Sequence, residues 1–123
     1  YNMADMMFLP SYEELFPMSI LEALCCKKPV LVRDVELYDN ILFDYCMRGD
    51  GVEDFVTYIE ALRNSPEDRE YWSEQAWKCH GLYTEEAALR QWEGLYYRAY
   101  EEVLEKRDGS VLNGQERKRI SNP

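Results

Sequence analysis

The stretch of sequence that decides the fold is MMFLPSYEELFPMSILEALCCKKPVLVRD, residues 6–34. It begins with a short apolar run that Pro10 ends, which predicts a buried strand. Pro17 then opens a helix, because its fixed φ suits the first turn and its missing N–H is not needed there. Pro29 ends that helix, and residues 30–32 predict a second buried strand. Strand, helix and strand within about 30 residues form a βαβ unit.

The sequence after this unit predicts helices. Residues 35–48 give the weakest pattern, a loop followed by a short helix from about Leu37 to Tyr45. Asp50 with Glu53 three residues later resembles a capping box at the start of a longer helix. The first helix, at Pro17, is predicted to continue through Lys27.

Two more helices follow. Ser65 is predicted as an N-cap with Pro66 in the first turn, for a helix that ends at about Cys79. Glu85 and Glu86 then open a last long helix with an apolar stripe. We predict one folded domain over residues 1–106 and a polar, disordered tail over residues 107–123.

The fold class is therefore α/β, but two predicted strands do not complete a parallel sheet. The missing strands are expected upstream of Tyr1, or from another copy of the chain in a homo-oligomer. The chain also lacks an initiator Met at position 1, so we expect it to be part of a longer protein.

Composition excludes some functions. The net charge of −10 disfavours nucleic acid as a partner, since a polyanion would be repelled. No apolar run approaches the roughly 18 residues of a membrane-spanning helix. The four cysteines lack metal-ligand spacing, which predicts reduced thiols in a cytoplasmic protein and no metal, with Cys25 and Cys26 in buried packing.

Glu14 and Glu22 are the candidate binding residues. Their spacing puts Glu14 in the loop after the first strand and Glu22 inside the following helix. Both could face a ligand at the carboxyl end of the sheet, where open α/β sheets bind nucleotides and sugars. The alternative is that Glu22 is simply an exposed helix carboxylate, as most charged residues are.

With its flanking strands, this glutamate pair resembles the C-terminal donor-binding domain of retaining GT-B glycosyltransferases, most of all family 4. The hallmark of that family is a Glu, seven residues and a second Glu, usually followed by Ala. Glu14, Glu22 and Ala23 match it, and a Pro and an apolar strand follow as expected. The stretch LPSYEELFPM, residues 9–18, is similar to bacterial enzymes that glycosylate lipids such as diacylglycerol or build cell-surface glycans.

The resemblance implies a partial Rossmann-like fold and a role for each site residue. Glu14 would bind hydroxyls of the donor sugar and act in catalysis, and Glu22 would hold the ribose of the nucleotide. The nucleotide-sugar-binding set it implies is Glu14, Phe16, Pro17, Met18, Ser19 and Glu22. Backbone N–H groups at the helix start would favour the diphosphate, so that no metal or other cofactor is required.

The sequence departs from the family in two respects. The family often carries Gly where this chain has Pro17, so one backbone donor is absent. The basic residues that clamp the diphosphate match nothing here, because Lys27 and Lys28 lie at the wrong end of the helix. An N-terminal GT-B domain is therefore an expected partner, and this piece alone is expected to be inactive.

The resulting prediction is a hexosyltransferase that takes a UDP-sugar and transfers the sugar to a lipid or glycan acceptor. Its expected location is the cytoplasm, at the inner membrane face. The alternative from another class is a non-catalytic, helix-rich interaction or scaffolding module, which the aromatic helical region suggests. A sugar epimerase is disfavoured, since no G-x-G-x-x-G phosphate loop occurs.

Overall fold

A computed structural model describes residues 1–120 of the chain, with side chains through residue 106. The chain divides into two units, residues 1–84 and the residues from Glu85 onward. The elements in chain order are β1 (Met7–Leu9), α1 (Met18–Cys25), β2 (Val30–Arg33), α2 (Leu37–Ile41), β3 (Met47–Gly49), α3 (Val52–Asn64), α4 (Pro66–His80) and α5 (Glu85–Ile120). The predicted α/β class, a partial Rossmann-like domain with a βαβ unit followed by helices, is confirmed.

The strands form a parallel sheet in the order β1-β2-β3. Leu31 of β2 lies between Phe8 of β1 and Met47 of β3 in the register. The third strand was not predicted, because its sequence Met47-Arg48-Gly49 is only three residues long and carries a charge and a glycine. Its strand conformation depends on pairing with β2, which local sequence does not reveal.

Side chains of β2 alternate between two apolar layers. Val30 and Val32 belong to one cluster with residues of α1, α2 and α4. Leu31 belongs to the other, with Met47 of β3 and with Phe55 and Leu62 of α3. Both faces of the sheet are therefore covered, as parallel sheets require, which explains why β2 has no polar residue before Arg33.

The helix boundaries correct three details of the sequence interpretation. Pro17 is the N-cap of α1 and not its first helical residue. The helix ends at Cys25, before Lys27, which adopts a left-handed φ of 54°. The capping box at Asp50 was wrong: Gly51 is the N-cap of α3, and the Asp54 carboxylate accepts a hydrogen bond from the Asp50 N–H at 2.9 Å.

The start of α4 confirms the prediction from Ser65 and Pro66. The Ser65 hydroxyl accepts a hydrogen bond from the Asp68 N–H at 3.0 Å, and Pro66 is the first helical residue. The helix continues to His80, one residue beyond the expected end, and the His80 ring stacks on Trp77 with centroids 5.0 Å apart. Local sequence therefore specifies this helix start almost completely.

The second unit is α5. Its predicted apolar stripe is present but exposed among the described side chains: Leu89, Trp92, Leu95, Tyr96, Tyr97, Tyr100 and Val103. Of the helices in the described residues, none is both long and apolar enough to cross a membrane. The predicted tail from residue 107 lies outside the described side chains and stays a prediction.

The cysteines are arranged differently from the prediction. All four are free, as expected of reduced thiols. Cys25 is exposed and Cys26 half-buried, so the prediction of buried packing for that pair was wrong. Cys46 and Cys79 are the buried thiols, and burial raises the pKa of Cys46 to about 11 and that of Cys79 to about 12.

Candidate functional site

The candidate site lies at the carboxyl edge of the sheet. Because all three strands are parallel, they end at the same edge, at Leu9, Arg33 and Gly49. The loop after β1 leads directly into α1 and carries Glu14. This is the edge at which open α/β sheets bind their ligands.

A groove of about 650 Å³ opens along this loop. Its walls are five consecutive loop residues and two from the segment at the start of α2: Tyr12, Glu13, Glu14, Leu15, Phe16, Val35 and Leu37. The groove thus carries two carboxylates and no basic side chain. A surface of this kind can accept hydrogen bonds from sugar hydroxyls, whereas a phosphate would find no countercharge on it.

Glu14 is half-buried in this groove. The negative charge of Glu14 also affects Tyr38 in α2. The pKa of Tyr38 is raised to about 12, mainly by burial and to a smaller extent by the charge of Glu14. Glu13, the neighbouring carboxylate, is exposed. The more enclosed of the two carboxylates is therefore the one that the glutamate spacing selected.

Glu22 does not line the groove. It is exposed on α1, and its Oε2 accepts a hydrogen bond from the Tyr1 hydroxyl at 2.7 Å. That hydrogen bond is the main reason that the pKa of Tyr1 is raised. The structure therefore places the two hallmark glutamates in different surroundings, and a ligand that contacts Glu22 would take the place of Tyr1.

The other predicted site residues surround the start of α1. The Phe16 ring lines the groove and packs edge-on against Tyr83, with centroids 6.1 Å apart. Pro17 is buried, Met18 is exposed and Ser19 is half-buried, and none of these three lines the groove. No side chain caps the N-terminus of α1, which leaves backbone N–H groups at the helix start for an anion.

Arg33, the last residue of β2, holds this edge of the sheet together. Its Nε donates to the Pro10 carbonyl at 3.0 Å, and its guanidinium also donates to the Asp50 carbonyl. The guanidinium lies 3.9 Å from the centre of the Tyr12 ring. Arg33 therefore joins the chain after β1 to the chain after β3 and supports the wall of the groove.

The other basic side chains near the sheet have different partners. Lys27 pairs with Glu74 at 3.2 Å, and Lys28 donates to the Asn2 carbonyl. Arg48 pairs with Asp39 and donates to the Phe43 carbonyl at 2.8 Å. The expectation that neither lysine clamps the diphosphate stays a prediction.

Similarity to known proteins defines the class of this chain. Residues 1–78 match the family model described as "Glycosyl transferases group 1". The chain therefore belongs to the group 1 glycosyltransferase family. This confirms the resemblance drawn from Glu14 and Glu22.

Two curated relatives give closer comparisons. The chain is 38% identical over 96 residues to the alpha-galactosylglucosyldiacylglycerol synthase of Streptococcus pneumoniae (strain ATCC BAA-255 / R6), covering 78% of this chain and 26% of that protein. It is 32% identical over 106 residues to the processive diacylglycerol alpha-glucosyltransferase of Acholeplasma laidlawii, covering 85% and 30%. The chain thus spans less than a third of the length of these relatives. No solved structure matches the chain significantly.

Proposed function

We propose that this chain is the donor-binding part of a retaining hexosyltransferase that uses a UDP-sugar to glycosylate a lipid. UDP-glucose and UDP-galactose are the proposed donors. Membership of the glycosyltransferase family supports the reaction class. The names of both relatives contain "diacylglycerol", which supports a lipid acceptor over a surface glycan and a site of action at the inner membrane face.

The observation that carries the proposal is the groove at the carboxyl edge, with half-buried Glu14 and no basic side chain on its walls. A hexose offers several neutral hydroxyl donors, and a carboxylate accepts two of them in charge-assisted hydrogen bonds. The groove therefore suits the sugar end of the donor. Catalysis would depend on Glu14 holding the sugar while the diphosphate leaves, stabilised electrostatically.

The nucleotide end of the donor is assigned to α1. Its uncapped N-terminus offers N–H groups and a positive dipole end to the diphosphate. Glu22 would then exchange its hydrogen bond with Tyr1 for the ribose hydroxyls. The remaining positive charge for the diphosphate is assigned to residues outside this chain.

The same comparison supports the proposal that the reaction retains configuration. Both relatives have "alpha" in their names. An α-linked product formed from an α-linked nucleotide sugar requires retention at the anomeric carbon. We therefore extend retention to this chain.

The test is calorimetric titration of the full-length enzyme with UDP and with UDP-glucose or UDP-galactose. Glu22→Gln should weaken both ligands about tenfold, and Glu14→Gln should weaken only the UDP-sugar by a similar factor, the loss expected for one charge-assisted contact. Glu60→Gln, which removes an exposed helix carboxylate on α3, is the matched control and should change neither affinity. Unchanged UDP affinity in Glu22→Gln would contradict the ribose contact. Absence of any UDP binding would favour the scaffolding alternative.

A further inference from the structure

Tyr38 has a buried hydroxyl without a hydrogen-bond partner. The residue is 0% exposed and belongs to the apolar cluster between the sheet and helices α1 and α4. Among the described side chains, its hydroxyl is the buried nitrogen or oxygen atom that no other group satisfies. Buried polar groups are nearly always hydrogen-bonded, and leaving one unmade is unfavourable. The Tyr38 hydroxyl is therefore expected to gain a hydrogen-bond partner in another state of the protein, such as the ligand-bound state.

The surroundings of Tyr38 connect it to the groove. Val35 and Leu37, just before it in the chain, form part of the groove wall together with the loop that carries Glu14. The negative charge of Glu14 contributes to the raised pKa of Tyr38, after burial. Because that pKa is about 12, the phenol stays protonated at neutral pH and can only be a neutral donor or acceptor there.

Within residues 1–106, Glu14 lacks a side-chain hydrogen-bond donor, just as the Tyr38 hydroxyl lacks an acceptor. An ionised carboxylate is an acceptor with about four lone-pair sites. In the described part of the chain, none of the side-chain hydrogen bonds or ion pairs involves Glu14. Over the described range, Glu14 thus lines the groove as an acceptor without a side-chain donor, and Tyr38, which follows the groove residue Leu37 in the chain, carries a buried donor without an acceptor.

We propose that Tyr38 is a positioning residue for Glu14: in the donor-bound enzyme its hydroxyl donates a hydrogen bond to one carboxylate oxygen of Glu14. The other oxygen remains for the hydroxyls of the sugar. The carboxylate is then fixed in one orientation, which lowers the entropic cost of binding the sugar. This inference rests on the proposed function, because it takes the sugar-binding role of Glu14 as its starting point.

Tyr83 provides a matched comparison in the same apolar cluster. Its hydroxyl donates to the Ile41 carbonyl at 2.5 Å, so its hydrogen bond is already made in the folded chain. Replacing either tyrosine by phenylalanine keeps the ring and removes one hydroxyl. The two variants therefore distinguish a hydroxyl that contributes to binding of the UDP-sugar from a hydroxyl that contributes to the stability of the fold.

The experiment uses the full-length enzyme with Tyr38→Phe and Tyr83→Phe, titrated with UDP and with UDP-glucose or UDP-galactose. Tyr38→Phe should bind the UDP-sugar about tenfold more weakly, as expected for one charge-assisted hydrogen bond, with unchanged UDP affinity. Its melting temperature should be unchanged or higher, since no hydrogen bond of the free protein is lost. Tyr83→Phe should melt at a lower temperature and bind both ligands normally.

A double-mutant cycle with Glu14→Ala tests the pairing itself. In the Glu14→Ala background, Tyr38→Phe should reduce UDP-sugar affinity by less than about twofold, because the acceptor of its hydrogen bond is gone, whereas a Gln side chain would still accept it. Full UDP-sugar affinity in Tyr38→Phe, or an equal loss for UDP, would overturn the inference. If Glu14→Gln itself binds UDP-sugar normally, the proposed function fails. If Glu14→Gln is weakened while Tyr38→Phe is normal, only the positioning role fails.

Discussion

The sheet unit, residues 1–84, and the helix α5 that follows it differ in what covers their apolar side chains. In the sheet unit, two layers bury residues such as Leu24 and Leu31 completely. On α5 a stripe of similar apolar character is exposed, with Leu89 at 55% and Tyr97 at 71% exposure. The spacing of apolar residues thus predicts a helix equally well in both regions. It does not show whether another element packs against the apolar face of that helix.

The largest expected effect compares two leucines. Leu24→Ala removes a fully buried side chain beside the sheet and should lower the free energy of unfolding by about 3 kcal/mol, within the range for buried Leu→Ala changes. Leu89→Ala on α5 should change it by less than about 0.5 kcal/mol. Urea unfolding of both variants measures the difference. Equal losses would mean that the stripe on α5 is packed in solution.

A second comparison uses glycines. A Cβ on Gly49 would lie 2.9 Å from both Asp54 Cβ and Phe55 Cδ1, so Gly49→Ala should destabilise the chain by about 2 kcal/mol through overpacking. A Cβ on Gly94 in α5 would meet only the guanidinium of Arg98, at 4.0 Å. Gly94→Ala should therefore stabilise the helix by about 0.5–1 kcal/mol.

Thermal unfolding of the two glycine variants shows directly whether each substitution raises or lowers the stability of the chain. A neutral Gly49→Ala would show that α3 can move away from β3 at little cost. A destabilising Gly94→Ala would show that a partner approaches that face of α5 closely.

The third prediction concerns alkaline pH. Burial raises the pKa of Cys46 to about 11 and that of Cys79 to about 12, from 9.0. Because the unfolded thiols lose protons first, the stability that these groups contribute is complete below pH 9.0 and declines above it, until pH exceeds the folded pKa. The slope should be at most about 1.4 kcal/mol per pH unit for each thiol.

Urea unfolding at a series of pH values from 8 upward measures this slope. Cys46→Ala should make it shallower, whereas Cys25→Ala, which removes an exposed thiol, should leave it unchanged. All four cysteines belong to the sheet unit, so the effect reports on that unit and not on α5. A slope that survives Cys46→Ala unchanged would contradict the assignment to that thiol.

Much of the sheet unit could be predicted from sequence because local rules act there. Pro29 and the apolar run after it specify β2, and Ser65 with Pro66 specifies the start of α4. The strand β3 could not be predicted, since a three-residue segment with Arg48 at its centre acquires its conformation from pairing with β2. The cap of α3 was missed for a related reason: Asp54 reaches back to the Asp50 N–H, and several acidic residues nearby fit a capping pattern equally well.

The candidate site was only partly predictable. The spacing of Glu14 and Glu22 identified both residues and the family, but it could not show that one lines a groove and the other is hydrogen-bonded to Tyr1. Arg33 could be placed at the ligand-binding edge without revealing its partners, the carbonyls of Pro10 and Asp50. Tyr38 gave no signal at all, since a tyrosine in a short helix is ordinary in any sequence.

The sequence by itself determined the class of fold, the family and the start of α4, and its spacing selected Glu14 and Glu22 as candidate binding residues. These features depend on periodicity, capping and spacing, which are properties of neighbouring residues in the chain. Only the tertiary structure decided which carboxylate is enclosed, which arginine supports the groove and which tyrosine hydroxyl lacks a partner. Burial and hydrogen bonding between residues far apart in the sequence depend on how the strands and helices pack, and no local pattern encodes them.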